Sequence, residues 1–139
     1  MAVGAVIEYI PSGKILMLKR SPALDFDAGE WEPGISGRMK QCEELEDALR
    51  RETFEETGIR DIEILKPLTA HHLFRGKSIA ENELILIMYY CRTDSFEVQI
   101  SEEHEEYRWA TPEEGLELAG SHAGMRQDIE TFIKEKNHS

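Results

Sequence analysis

Residues 37–59 read GRMKQCEELEDALRRETFEETGI, seven acidic side chains in 23 positions. On a helix turning about 100° per residue, Ala48, Leu49, Glu52, Glu55 and Glu56 all fall within about 80° of the direction of Leu45. One face is therefore apolar in the early turns and carboxylate in the late ones. Amphipathic helices turn such a face to the core or to a cleft. Three inward carboxylates near a helix C-terminus, where the macrodipole disfavours anions, repel one another. Such crowding is relieved by protonation or by a divalent cation. All-oxygen ligation suits Mg²⁺, Mn²⁺ or Ca²⁺ rather than zinc. A Glu-rich face is also what a solvated helix presents, so the wheel alone leaves both readings open.

The spacing across the stretch is more specific. Gly37, Glu43, Arg51, Glu52, Glu55, Glu56, Gly58 and Ile59 stand in the order Gly-x5-Glu-x7-Arg-Glu-x2-Glu-Glu-x-Gly-aliphatic. In this the chain resembles the Nudix hydrolases, and the likeness extends over most of its length. One position departs: Thr53 stands where the family carries an aliphatic residue. Thr is β-branched and close to Val in volume, so packing should survive, with its hydroxyl bonded to a backbone carbonyl.

The resemblance implies a single domain over residues 1–139, of α/β (α+β) class. The expected fold is a Nudix-type α/β/α sandwich, a mixed β-sheet between the box helix and the C-terminal helix. It implies metal ligation by Glu52, Glu55, Glu56 and the carbonyl near Gly37, with Mg²⁺ or Mn²⁺ as cofactor. Arg51 pairs with Glu43 to orient loop and helix. Glu103, or else Glu105 or Glu106, would add a carboxylate as ligand or as the base that activates water; Glu52 is the other candidate base. Arg20, closing a Leu-x-x-Arg strand end, could reach a substrate phosphate, and Trp31 could stack on a base. The tail from His104 onward is similar to the dihydroneopterin-triphosphate and dATP pyrophosphohydrolase branch.

The reaction so implied is metal-dependent hydrolysis of a diphosphate linkage, a nucleoside triphosphate going to the monophosphate and pyrophosphate. Alternatives are an ADP-ribose or nucleotide-sugar pyrophosphatase, and a nucleotide-binding regulator without hydrolysis. Regulators of that kind tend to lose box carboxylates, and all four fixed glutamates are present here. A plain acidic interaction domain does not account for the glycines, Arg51 and the Glu spacing together.

Composition bounds the partners. A formal net charge of −12 with no basic block argues against a nucleic-acid polymer or an anionic membrane as partner. It leaves a small nucleotide open, since a bound metal reverses the local charge. Two cysteines, Cys42 and Cys91, suit a reducing compartment and are read as packing residues. With no signal peptide or membrane span in the sequence, this points to the cytoplasm.

The remaining elements follow from pattern. Residues 2–10 are apolar enough for a strand buried on both faces, and residues 15–20 form its hairpin partner after Pro11-Ser12-Gly13-Lys14. Residues 21–35 read as irregular, 36–40 as a short strand, and 43–57 as the box helix stopped by Gly58. Residues 61–74, with His71 and His72 near the end, and 83–92 read as strands, and 96–100 as a shorter one. Thr111-Pro112-Glu113-Glu114 is a capping box, and residues 123–136 form a core-facing helix without assigned chemistry. Because little chain precedes the first strand to cover a sheet edge, a homodimer is a further expectation.

Overall fold

A computed structural model describes residues 1–24 and 27–138. Its strands are β1 (Ala2–Tyr9), β2 (Ile15–Arg20), β3 (Trp31–Pro33), β4 (Ile35–Arg38), β5 (Glu63–Phe74), β6 (Glu83–Thr93) and β7 (His104–Ala110). Its helices are α1 (Leu45–Thr57), α2 (Pro112–Ala119) and α3 (Ala123–Asn137), with one 3₁₀ turn over Ala80–Asn82. The strands form one mixed sheet in the order β3-β2-β1-β6-β5, with β4 also on β1 and β7 also on β2.

β1 is the hub because it can be buried on both faces. All but Tyr9 of its residues are buried, and it pairs with β6 in parallel and with β2 and β4 antiparallel. Period-2 alternation sends Val3, Ala5 and Ile7 to one face, where Leu16, Leu18, Ala48, Leu49 and Trp109 join them. Val6, Ile15, Met17, Met88, Met125, Ile129 and Phe132 make the other core. Helix α1 therefore covers one face and α2–α3 the other, the layering expected.

Five expectations need correction. Residues 31–33 are a strand on β2 rather than irregular, while residues 25 and 26 of that stretch lie outside the described residues. Between β3 and β4, Gly34 adopts φ +69°, and any Cβ there would overlap the Ala5 carbonyl. The chain can therefore pass directly from pairing with β2 to pairing with β1. Residues 96–100 form no strand. Their polar groups are used otherwise: the Gln99 N–H donates to the Thr57 carbonyl (2.9 Å), and the Phe96 carbonyl accepts from Trp109 Nε1 (2.8 Å). Phe96 meanwhile packs its ring on Tyr9 and Trp109.

The third correction concerns Thr53. Its side chain is fully buried, yet its hydroxyl has no hydrogen-bond partner among the described residues. Its own carbonyl is taken by the Thr57 hydroxyl at 2.6 Å. Fourth, Cys42 is exposed, in a loop at φ +64°, and only Cys91 is a packing residue. Burial pushes the Cys91 thiol up to about 12.

The reason given for an open sheet edge also fails, since the N-terminal strand lies mid-sheet. The long edge is β5, interrupted by Pro67 and two register shifts that discourage pairing with another chain. Among the described residues no helix is long and apolar enough to cross a membrane.

Candidate active site

Helix α1 starts after Glu44 and ends on Gly58, whose φ of +77° lets its N–H return to the Phe54 carbonyl at 2.8 Å. Along it, Glu52 and Glu56 are buried with Ala48, Leu49 and Thr53, while Glu55 is half exposed. Arg51 organises the approach. It forks onto Glu43 through Nε (2.7 Å) and Nη2 (2.9 Å), and Nη2 also reaches the Arg38 carbonyl at 3.2 Å. The guanidinium holds the Glu43 carboxyl down to about 2, helped by the Lys40 N–H. Loop 38–43 is thereby fastened to the helix by one planar, two-pronged contact that Lys could not reproduce.

Nη1 of the same guanidinium lies 2.8 Å from Glu52 and 3.3 Å from Glu55, so both carboxylates meet at one guanidinium nitrogen. Glu52 also rests on the backbone of Gly37. A Cβ added to Gly37 would come within 2.5 Å of Glu52 Cδ and both its oxygens. The glycine that opens the signature is thus the space occupied by a signature carboxylate. Burial, reinforced by Glu55 and Glu56, pushes the Glu52 carboxyl up despite Arg51.

Glu56 faces the opposite wall of the site, built by the loop into β7. Ser101 Oγ donates to Glu56 Oε2 at 3.0 Å, and His104 Nδ1 lies 3.1 Å from the same oxygen. That N–H is too far off line to count as a hydrogen bond. His104 Nε2 meets Glu32 Oε1 at 2.7 Å, and Glu32 Oε2 accepts from Arg20 Nη1 at 3.3 Å. Burial works against a charged imidazole, but Glu32 and Glu56 outweigh it and hold the His104 pKa at about 9. Burial likewise opposes ionisation of Glu56, and His104 and Ser101 reverse the balance, so its pKa falls. Burial, and then the neighbouring Glu56 charge, raise the Glu103 pKa.

The sequence-predicted residues Arg51, Glu52, Glu55, Glu56, Gly37 and Glu103 are thus brought together around the C-terminal half of α1. Arg20 joins them at one remove, through Glu32 and His104. Trp31 does not: its ring lies under the Arg108 guanidinium (5.1 Å) and packs toward the α2–α3 core. Of the alternatives to Glu103, Glu105 pairs with Lys19 at 3.1 Å and Glu106 with Arg108 at 3.7 Å, both on the exposed part of β7. Sequence reasoning missed Glu32 and His104 as partners. Glu32 lies in a stretch read as irregular, and its signal was only that an acidic residue precedes Pro33-Gly34.

Glu32 also lines a cleft of about 280 Å³ on the α3 side of the sheet, with Arg20, Ser36, His71, Arg75 and Asp128 among its polar walls. His72 lies at its rim, paired with Glu83 at 2.6 Å. Elsewhere among the described residues, Asp27, Glu30 and His122 bring ligand atoms within 4.8 Å of one another, a largely exposed group.

Similarity to known proteins places the family and the fold. A NUDIX domain profile matches residues 1–132. The nucleoside triphosphatase NudI of Escherichia coli K12 is 31% identical over 109 residues, 73% of this chain and 76% of that protein. The MutT protein from Methanosarcina mazei Go1 superposes with a TM-score of 0.79 at 28% identity, covering 97% of this chain and 93% of that one. The dihydroneopterin triphosphate pyrophosphohydrolase of E. coli shares the fold at 20% identity, with a TM-score of 0.74 over 96% and 94% of the two chains. The chain belongs to the Nudix family. It is a hydrolase acting on acid anhydrides, a pyrophosphohydrolase of nucleoside diphosphate derivatives.

Proposed function

We propose that this chain hydrolyses nucleoside triphosphates to the monophosphate and pyrophosphate with the help of Mg²⁺ or Mn²⁺. One observation carries the reading: Glu32 lines the cleft and is tied through His104 to the box residue Glu56, which links the cleft to the carboxylates. On this reading a ligand whose base fills the cleft extends its phosphates past Glu32 toward the box. Support for a triphosphate comes from the likeness to a nucleoside triphosphatase at 31% identity.

The donor set fits a hard cation. Glu52, Glu55, Glu56, Glu103 and the Gly37 carbonyl all offer oxygen, and Glu52 and Glu103, raised by burial and then by neighbouring carboxylates, are groups whose ionised form a cation would favour. Bound there, Mg²⁺ or Mn²⁺ would neutralise phosphate oxygens and lower the pKa of a coordinated water. Glu103 or Glu52 would take the proton from the attacking water. Arg51 keeps Glu52 and loop 38–43 in register, and His104 keeps Glu56 ionised and oriented. Arg20 and Arg75, on the cleft wall, offer positive charge to the polyphosphate. Attack at phosphorus needs mainly positioning and electrostatics, so this inventory suffices.

Product analysis with Mg²⁺ tests the reading, on a panel of canonical, oxidised and pterin triphosphates, ADP-ribose and dinucleoside polyphosphates. Monophosphate plus pyrophosphate from a triphosphate is expected. Turnover confined to ADP-ribose would overturn the substrate class, and nucleotide binding without any turnover would overturn the reaction.

A further inference from the structure

The cleft holds a buried carboxylate that the chemistry above leaves unused. Asp128, on α3, is 5% exposed and lines the cleft beside Met88 and Met125. Its Oδ1 accepts from Thr69 Oγ1 at 2.6 Å and meets His71 Nε2 at 2.7 Å, both from β5. Two donors fill the two lone pairs of that oxygen. Oδ2 takes no hydrogen bond among the described residues, yet it is not one of the sealed, unpartnered buried atoms, so the cleft reaches it. Thr69 and His71 also fix the rotation of the carboxylate, because both approach the same oxygen.

Burying a carboxylate in a largely apolar wall is costly unless something uses it. Ligand sites of this kind combine apolar walls with a few placed polar groups that set specificity. We propose that Asp128, seated by Thr69 and His71, reads the base of the nucleotide by accepting a hydrogen bond on Oδ2 from an exocyclic amino group. The inference rests on the triphosphate reading and names what that site selects. An ionised carboxylate only accepts. Adenine and cytosine offer an amino N–H at the position where hypoxanthine and uracil offer a carbonyl oxygen. The keto bases would set a lone pair against Oδ2 and leave that buried carboxylate oxygen without a donor, a loss larger than that of a neutral hydrogen bond. Burial raises the Asp128 pKa while Thr69 and His71 oppose it, as expected where a ligand must supply the remaining partner.

The test compares two pairs that differ only in amino for keto: ATP with inosine triphosphate, and CTP with UTP. Wild-type kcat/KM should favour the amino member of each pair by about tenfold or more. In Asp128→Asn the amide oxygen stays with Thr69 and His71, and the NH₂ takes the Oδ2 position, turning acceptor into donor. Both ratios should then invert. Ratios within twofold in the wild type, or a preference for the keto bases, would overturn the proposal without any variant being needed. An equal loss on all four substrates in a folded Asp128→Asn would reduce Asp128 to scaffolding. Equilibrium binding of the α,β-methylene analogues separates the two claims. Inverted binding ratios without turnover of any triphosphate keep the base reading and sink the reaction; turnover with unchanged ratios does the reverse.

Discussion

Gly37→Ala isolates what the opening glycine of the signature does. The backbone at Gly37 is not in the left-handed region, so alanine introduces no strain in φ, and the whole effect comes from one methyl group. That methyl would lie within 2.5 Å of the Glu52 carboxyl carbon and of both its oxygens. Carbon contacts settle near 3.5–4.0 Å, so Glu52 must retreat by about 1 Å or more. It cannot do so freely, because Arg51 Nη1 holds it at 2.8 Å and is itself committed to Glu43. Overpacking of this size costs about 1–3 kcal/mol, a few degrees in Tm for a domain of this length. Misplacing a catalytic group by about 1 Å costs on the order of 100-fold in rate. Steady-state kcat with Mg²⁺ should therefore fall about 100-fold, while circular dichroism and Tm show a folded protein. The specific readout is non-additivity. In a Glu52→Gln background, where the carboxylate is already gone, Gly37→Ala should cost little further activity. Gly37→Ala within threefold of wild type, or losses that multiply in the double variant, would refute the argument that this glycine serves to seat Glu52.

Glu56→Gln should remove most turnover yet keep the fold. The amide oxygen still accepts from Ser101, and loss of charge relieves Glu103; a near-native rate would mean that Glu56 lies outside the reacting centre. His104 links stability to pH. Its folded pKa of about 9 lies above the ordinary 6.5, so the stabilisation is complete below about 6.5 and vanishes as pH rises through about 9. Urea titrations of the metal-free protein should show a loss of order 3 kcal/mol across that window, and His104→Gln should flatten it; an unchanged slope in the variant would assign the loss to other groups. Thr53→Val removes the unpaired buried hydroxyl and should stabilise by about 1–2 kcal/mol in chemical denaturation. A destabilised Thr53→Val would show that the hydroxyl has a partner after all.

The elements that were legible in sequence are those whose burial is complete or one-sided. β1 shows as a nearly continuous apolar run, interrupted by Glu8, because both its faces are covered, and α1 shows through a period near 3.6 that ends on a glycine in the left-handed region. The segment 96–100 carries the same kind of strand pattern but packs its aromatic ring on Trp109 and gives its polar backbone to Thr57 and Trp109. Local periodicity does not distinguish an extended segment that packs from one that pairs. β3 was hidden for the opposite reason. Pro33 and Gly34 read as breakers, yet here the proline closes a three-residue strand on β2 and the glycine permits the change of partner.

For the site, the dividing line is sequence distance. Arg51, Glu52, Glu55 and Glu56 lie on one helix, so their spacing alone predicts a shared face. Glu32 and His104 are 72 positions apart and meet at 2.7 Å only because β3 and β7 flank β2 on opposite sides. Asp128 and His71 are 57 apart and meet because α3 lies across β5. On the sequence, Asp128 is one polar residue in a core-facing helix, where the default reading is solvent exposure. Its burial depends on β5 presenting Thr69 and His71 on the face that α3 covers, which two separate periodicities must agree to produce. The box carboxylates are therefore local and show in a short spaced pattern. The base-reading half is assembled from strand and helix residues far apart in the chain, each unremarkable alone, so substrate choice in such a fold can change at Asp128 or His71 without leaving any mark on the signature.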